Sequence, residues 1–433
     1  MLHAPPSQPG SISLKALKPA VFIPTLYFIE GLPYALVVYV SVVFYKNLGE
    51  SLVFIGQATS LFYLPWVLKF AWAPMVDLVG TKRGWIVGAQ IALALLFVAL
   101  FSLSIFPALS SAQVMTATLC CFSLMAVISA TQDVAIDGYY LESLNKEQQS
   151  YFVGVRNAVY KMAILFGQSV LVFFVGVLHE QHHLNYVQGW SMAFGVCGTI
   201  CALAALLHFL GLPKSQRLPS ANASENKASL KTFLTVFLTF FDQAKIFWIV
   251  IYILTFRLGD ALVLKMAYPF LQDDVGNGGL GYSNIVLSQV TGVGIGFLLL
   301  GGILGGIVVS KYGLKRTLMP TAIFQNLSIL LYYFLAQFRP DFAVVATFNA
   351  IEQFGYGLGT AAYTVFLLRT VKSQYKAGHY AIATALMALG IMLPGYFSGA
   401  LCLTLGYKTF FLVSFLAAIP GMMTILLLPL DDK

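Results

Sequence analysis

Two aspartates four residues apart, in "VISATQDVAIDGYY" (residues 127–140), are the first side chains that could do chemistry. At that spacing Asp133 and Asp137 share one face of a helix, and they follow the strongly apolar run "TATLCCFSLMA". A segment apolar enough to enter a bilayer keeps two carboxylates, and Gln132, on its last turns. Eight further charges lie inside apolar stretches: Glu30, Asp260 and Glu352, with Lys69, Arg156, Lys161, Arg257 and Lys265. Each costs about 2.5–3.5 kcal/mol at the centre of a membrane helix, so all ten facing lipid would cost roughly 25–35 kcal/mol. They must face a protein interior or water. Acids in such a place suit proton binding, because a desolvated carboxylate holds its proton more readily. The same charges could instead be ion pairs that hold helices in register, and for Arg156 with Asp133 or Asp137 the two readings weigh equally.

The elements that position these residues follow from composition. Of 433 residues 59% are apolar and 10% charged, against about a quarter charged in a globular chain, and mean hydropathy is +0.82. That excludes a soluble enzyme and implies an all-α integral membrane protein. The net charge of +8 comes from scattered loop residues rather than a basic patch, so no nucleic-acid partner is expected. The first residues lack the pattern of a cleaved signal peptide. The five cysteines fall in apolar segments and read as small core residues.

Windows of about twenty apolar residues predict twelve spans, at 19–45, 53–76, 85–107, 112–140, 151–178, 190–212, 246–270, 286–310, 317–337, 342–368, 379–403 and 409–430. The polar interval "GLPKSQRLPSANASENKASLKTFL" divides them six and six. The expected organisation is therefore a six-helix bundle over 1–212, a cytoplasmic linker over 213–245 and a second bundle over 246–433. With both termini cytoplasmic, only Lys46, Arg339 and Lys408 of the 25 basic residues fall in outer loops, as the positive-inside rule requires.

"APMVDLVGTKR" (73–83) and "GIVVSKYGLKR" (306–316) occupy equivalent inner loops of the two halves and share a Gly followed by Lys-Arg. This repeat resembles the parallel halves of the major facilitator fold, in which Asp77 would engage a neighbouring helix end; the second copy has Ser310 there. Spans 1, 4, 7 and 10 of that fold line its central cavity. With span 5 they carry nine of the ten intramembrane charges. Tyr27, Glu30 and Tyr34 share a face of span 1, where Pro33 should kink the helix. Asn157, Lys161 and Gln168 make a stripe on span 5. Glu352 and Gln353 stand before the glycines of span 10. "HEQHH" (179–183) matches a zinc-protease pattern, but it lies in a short outer loop with no third ligand, so no metal site and no enzyme are expected.

Together "PTLYFIEGLPYAL", "LPWVLKFAWAPMVDLVGTKRGW", "ATQDVAIDGYY", "FRLGDAL" and "EQFGYGLGTAAYTVFLL" resemble one branch of the major facilitator superfamily, that of the AmpG-type muropeptide permeases and the acetyl-CoA transporters. The resemblance implies a multi-pass protein of the bacterial inner membrane, acting as a monomer. It would import GlcNAc-anhydroMurNAc-peptides for peptidoglycan recycling by alternating access, driven by the proton gradient with no cofactor. It carries the family's functional positions onto Gln132, Asp133, Asp137, Asp260 and Glu352. The chain departs from the family in "YKMAI" around Lys161, where many members have Arg-Leu-Gly, in lacking two C-terminal helices, and in having an acid at Glu30. On this reading Glu30, Asp260 or Glu352 carries the proton, and Asp77, Asp133, Asp137 and Arg156 form a gating network. Lys161, Arg257 and Lys265 meet substrate carboxylates, while Tyr27, Tyr34, Tyr252, Tyr356, Gln132 and Gln353 contact the sugar or peptide. The alternative is a transporter of acetyl-CoA or another anionic metabolite such as a siderophore.

Overall fold

A computed structural model describes residues 17–103, 109–213, 230–370 and 376–430, and among these all regular structure is helical. Six long helices precede the polar interval: α1 (Pro19–Asn47), α2 (Leu52–Ala71), α3 (Lys82–Ser102), α4 (Ser111–Ser143), α5 (Glu147–Glu180) and α6 (Tyr186–Gly211). After it come α7 (Ile246–Gln272), α8 (Asn284–Tyr312), α9 (Leu314–Phe338) and α10 (Phe342–Arg369). The last long element, Gly378–Leu427, is broken at Gly406, whose φ of 71° ends one helix, α11 (378–405), and admits another, α12 (407–427). Gly390 packs on Leu254 and Gly421 on Thr255, so the two arms run beside α7 in opposite senses. Ten of these elements are long and apolar enough to cross a membrane among the described residues, α11 and α12 being counted as one. The interval expected to be a polar linker contains a further helix, Leu230–Phe241.

The helix ends are written locally. Ser110 with Gln113, Asn145 with Gln148 and Asn185 with Gln188 are reciprocal capping boxes that open α4, α5 and α6. Gly80 and Gly313, the repeated glycines, both have left-handed φ, +74° and +81°, in the turns that lead into α3 and α9. Pairs of helices approach closely where glycine leaves room. A Cβ on Gly357 of α10 would stand 2.2 Å from Leu298 O of α8, and one on Gly301 would stand 2.1 Å from Phe354 O.

The first six and last six helices meet along α2–α11, α5–α8 and the ends of α1 and α7. Lys46 pairs with Asp273, which also accepts from the Tyr407 hydroxyl. Asn284 Nδ2 donates to Asn47 Oδ1 at 2.8 Å, and Ser169 Oγ donates to Ser288 O at 2.8 Å. These contacts all lie toward the α1–α2 loop side, away from the side on which α1 begins and α12 ends.

Candidate functional site

Pro33 sets the first part of the site. It has no amide hydrogen, so the Ile29 carbonyl one turn earlier loses its helical partner. Gln132 of α4, fully buried, supplies one: its Nε2 donates to Ile29 O at 3.2 Å. A π-turn follows at Leu36–Val40. Gln132 was expected to meet substrate; its amide nitrogen is instead used in completing α1.

Around this junction five charged side chains gather from four helices. Asp133 pairs with Lys69 of α2. Asp137 lies 3.3 Å from Arg156 Nη1, and both touch the Tyr27 hydroxyl, which donates to Asp137 (2.9 Å) and accepts from Arg156 (3.1 Å). The guanidinium also covers the rings of Tyr27 and Tyr140, at 4.8 and 5.2 Å. Glu30 is 7% exposed, faces Asp133 and has one carboxyl oxygen with no donor. Of its two candidate partners on α4, Arg156 meets Asp137, whereas Asp133 takes Lys69, a residue outside the expected site. The signal for Lys69 was only that it was a tenth charge inside a span. The side chain of Asp77 lies outside the described residues.

A second group is built by a break in α7. The helix is interrupted at Phe256–Arg257 and restarts at Leu258, which places Asp260 in the first turn of the new segment, where a carboxylate is favoured by the exposed amides. Asp260 accepts from Gln325 of α9, a partner no charge pattern could reveal. Arg257 donates to Thr360 Oγ1 at 2.9 Å and lies over Tyr356 (4.8 Å) and Tyr363 (5.5 Å) of α10. Its remaining edge, Nε and Nη1, and Asp260 Oδ1 are buried without hydrogen-bond partners. Glu352, 4% exposed, accepts from Gln353 at 2.9 Å.

The second group opens on a cavity lined by Tyr39, Lys161 and Gln168 from the first six helices and Asp260, Tyr268, Glu352, Gln353 and Tyr356 from the last six. Lys161 makes no hydrogen bond or ion pair among the described residues. Tyr34 stands beside it in an aromatic cluster with Trp66 at 5.1 Å and Tyr160 at 5.8 Å.

Of the expected contact residues, Lys161, Gln353 and Tyr356 line this cavity, Tyr27 and Gln132 belong to the first charged group, and Tyr252 and Lys265 lie in the packing between helices. Tyr252 is fully buried against Phe366, Tyr363 and Phe256, because the face of α7 it occupies packs on α10 rather than on the cavity. Lys265 is fully buried where α7 meets α1 and α2, its ammonium donating to Thr59 O at 3.0 Å and lying 3.5 Å from Val38 O. "HEQHH" closes α5: His179 Nδ1 lies 2.8 Å from Leu184 O and its ring stacks on Tyr186 at 3.9 Å. No three His, Cys, Asp or Glu side chains converge as a metal site among the described residues.

A buried cavity between two sets of membrane helices, charged on both walls, is the arrangement of a carrier. The profile described as Major Facilitator Superfamily matches residues 25–348. The chain belongs to this superfamily. Among its relatives, the "Anhydromuropeptide permease" of Escherichia coli K12 is 24% identical, over 86% of this chain and 70% of that one. The "Putative transporter AmpG 4" of Rickettsia conorii is 24% identical, over 93% and 94%. Of solved structures, the D-xylose-proton symporter superposes with a TM-score of 0.68 at 15% identity, over 95% of this chain and 97% of that one, a likeness of fold. This facilitator is thus a multi-pass inner-membrane transporter of a small molecule, not an enzyme, with AmpG-named relatives.

Proposed function

We propose that this facilitator imports anhydromuropeptides from the periplasm by proton-coupled alternating access. Two six-helix units, 1–212 and 246–433, rock about the cavity, with no cofactor beyond the proton gradient and no second subunit. The similarity to the E. coli anhydromuropeptide permease over most of the chain carries the reading. The cavity wall supports it chemically. Tyrosines, Gln168 and Gln353 suit a sugar with hydroxyl and amide groups, and Lys161 suits a peptide carboxylate. A polyphosphate such as acetyl-CoA calls for several cations, whereas Asp260 and Glu352 outnumber Lys161 on this wall.

The test is uptake of labelled GlcNAc-anhydroMurNAc-peptide into proteoliposomes under an inward proton gradient, with acetyl-CoA in parallel and a protonophore control. Accumulation of the muropeptide that the protonophore abolishes is the expected result. Uptake of acetyl-CoA alone, or of neither compound, sinks the substrate assignment.

A further inference from the structure

We propose that Glu30 and Asp133 hold one exchangeable proton between them, and that this carboxyl pair is the proton site of the transporter. The proposal rests on the proton-coupled reading above and selects among its three candidate acids.

The argument begins with charge. Among the described residues, Glu30, Asp133 and Asp137 are three carboxylates in one cluster, and the cations paired within it are two, Lys69 and Arg156. Fully ionised, the cluster holds one negative charge in excess, and one proton brings it to neutrality. Geometry says where that proton sits. Asp137 is served by Arg156 and by the Tyr27 hydroxyl, and Asp133 by Lys69. Among the described residues, Glu30 has no cation in contact, and one of its oxygens is buried without a donor. It faces Asp133, and two buried carboxyl groups that face each other cannot both stay ionised at little cost; a proton shared between them would turn repulsion into a hydrogen bond.

Packing keeps Glu30 from escaping to water. α1 and α5 touch beside it, where a Cβ on Gly31 would meet Tyr160 O and the Ala163 methyl at 2.9 Å each. The titratable groups that face Glu30 among the described residues are Tyr27 from its own helix, Asp133 and Asp137 from α4, Lys69 from α2, and Arg156 and Tyr160 from α5. Lys82 of α3 lies further along, its stem crossing Gly138. Access is one-sided. The Asp137 side chain is 45% exposed and Arg156 28%, while Glu30 is 7%, and the contacts between the two sets of helices close the α1–α2 loop side. A proton therefore leaves Glu30 past Asp133 and Asp137 toward the side on which α1 begins.

The test needs no substrate. Infrared difference spectra of the reconstituted full chain are recorded on stepping the pH, and the C=O stretch of a protonated carboxyl is followed. A band that titrates in the wild type, vanishes in Glu30→Gln and moves without vanishing in Glu30→Asp is expected; Asp133→Asn should displace or remove it. A band that survives Glu30→Gln intact, or that is lost only in Glu352→Gln or Asp260→Asn, overturns the proposal. A failed muropeptide uptake assay and a failed infrared titration are thus separate results: the first overturns the substrate assignment alone, the second the proton site alone.

Discussion

Gln132 has a structural task that only another helix defines. A buried glutamine beside two aspartates looks like a ligand contact, but Pro33 on another helix leaves the Ile29 carbonyl without its donor, and Gln132 provides one. An orphaned buried carbonyl costs about 1–3 kcal/mol, so Gln132→Leu should lower stability by that order in a thermal or chemical unfolding assay. The Pro33→Ala variant gives α1 its own amide at this position, so Gln132→Leu should cost less in that background. Equal penalties in both backgrounds would show that the two residues are uncoupled. Pro33 and Gln132 are both plain in the sequence; that they face each other across 99 positions is not. Lys69 is the converse case, visible as a charge inside a span but paired with Asp133 only because α2 and α4 pack together.

At the scale of elements, irregular helices do much of the positioning, and their loose backbone groups are taken up by neighbours. Lys265 donates to Thr59 O where α2 is interrupted, the Tyr63 amide there going to Ser60 O. Thr291 Oγ1 donates to Gln168 O within the π-turn of α5, at 3.3 Å. The break in α7 places Arg257 and Asp260 at a new helix start. Regular elements were legible: among the described residues the predicted spans fall on observed helices, the end of span 85–107 lying outside them, because apolar length and capping residues are local properties. The π-turns and the break in α7 were not legible, since nothing in a local window says which carbonyls a distant side chain will complete. Where helices are regular, glycine decides their approach. Gly357→Ala would drive a methyl into Leu298 O and force α8 from α10. Such overpacking costs typically about 1–3 kcal/mol, and the expected readout is a lower unfolding midpoint. An unchanged midpoint would mean that the α8–α10 contact relaxes freely.

For the whole molecule, the two sets of six helices are fastened on the α1–α2 loop side, and Asp273 is a principal fastening, holding both Lys46 and Tyr407. Asp273→Ala removes both contacts and leaves Lys46 unpaired, so the population should shift toward a form parted on that side. Cys402, 2% exposed and near Asp273, is a native reporter. In a chain whose other four cysteines are replaced, its labelling by a maleimide should quicken several-fold in Asp273→Ala; an unchanged rate would remove Asp273 from the closure. The sequence by itself determined that the chain is a membrane protein of packed helices, where those helices run, and which ten charges must avoid lipid. Those conclusions follow from transfer free energies and local spacing, which every window of residues carries with it. Only the tertiary structure decided which charge meets which: Lys69 on Asp133, Arg156 on Asp137, Glu30 left with a carboxylate for a neighbour. Pairing depends on how helices far apart in the chain rotate and approach, and a buried charge's partner is set by that packing rather than by its place in the sequence.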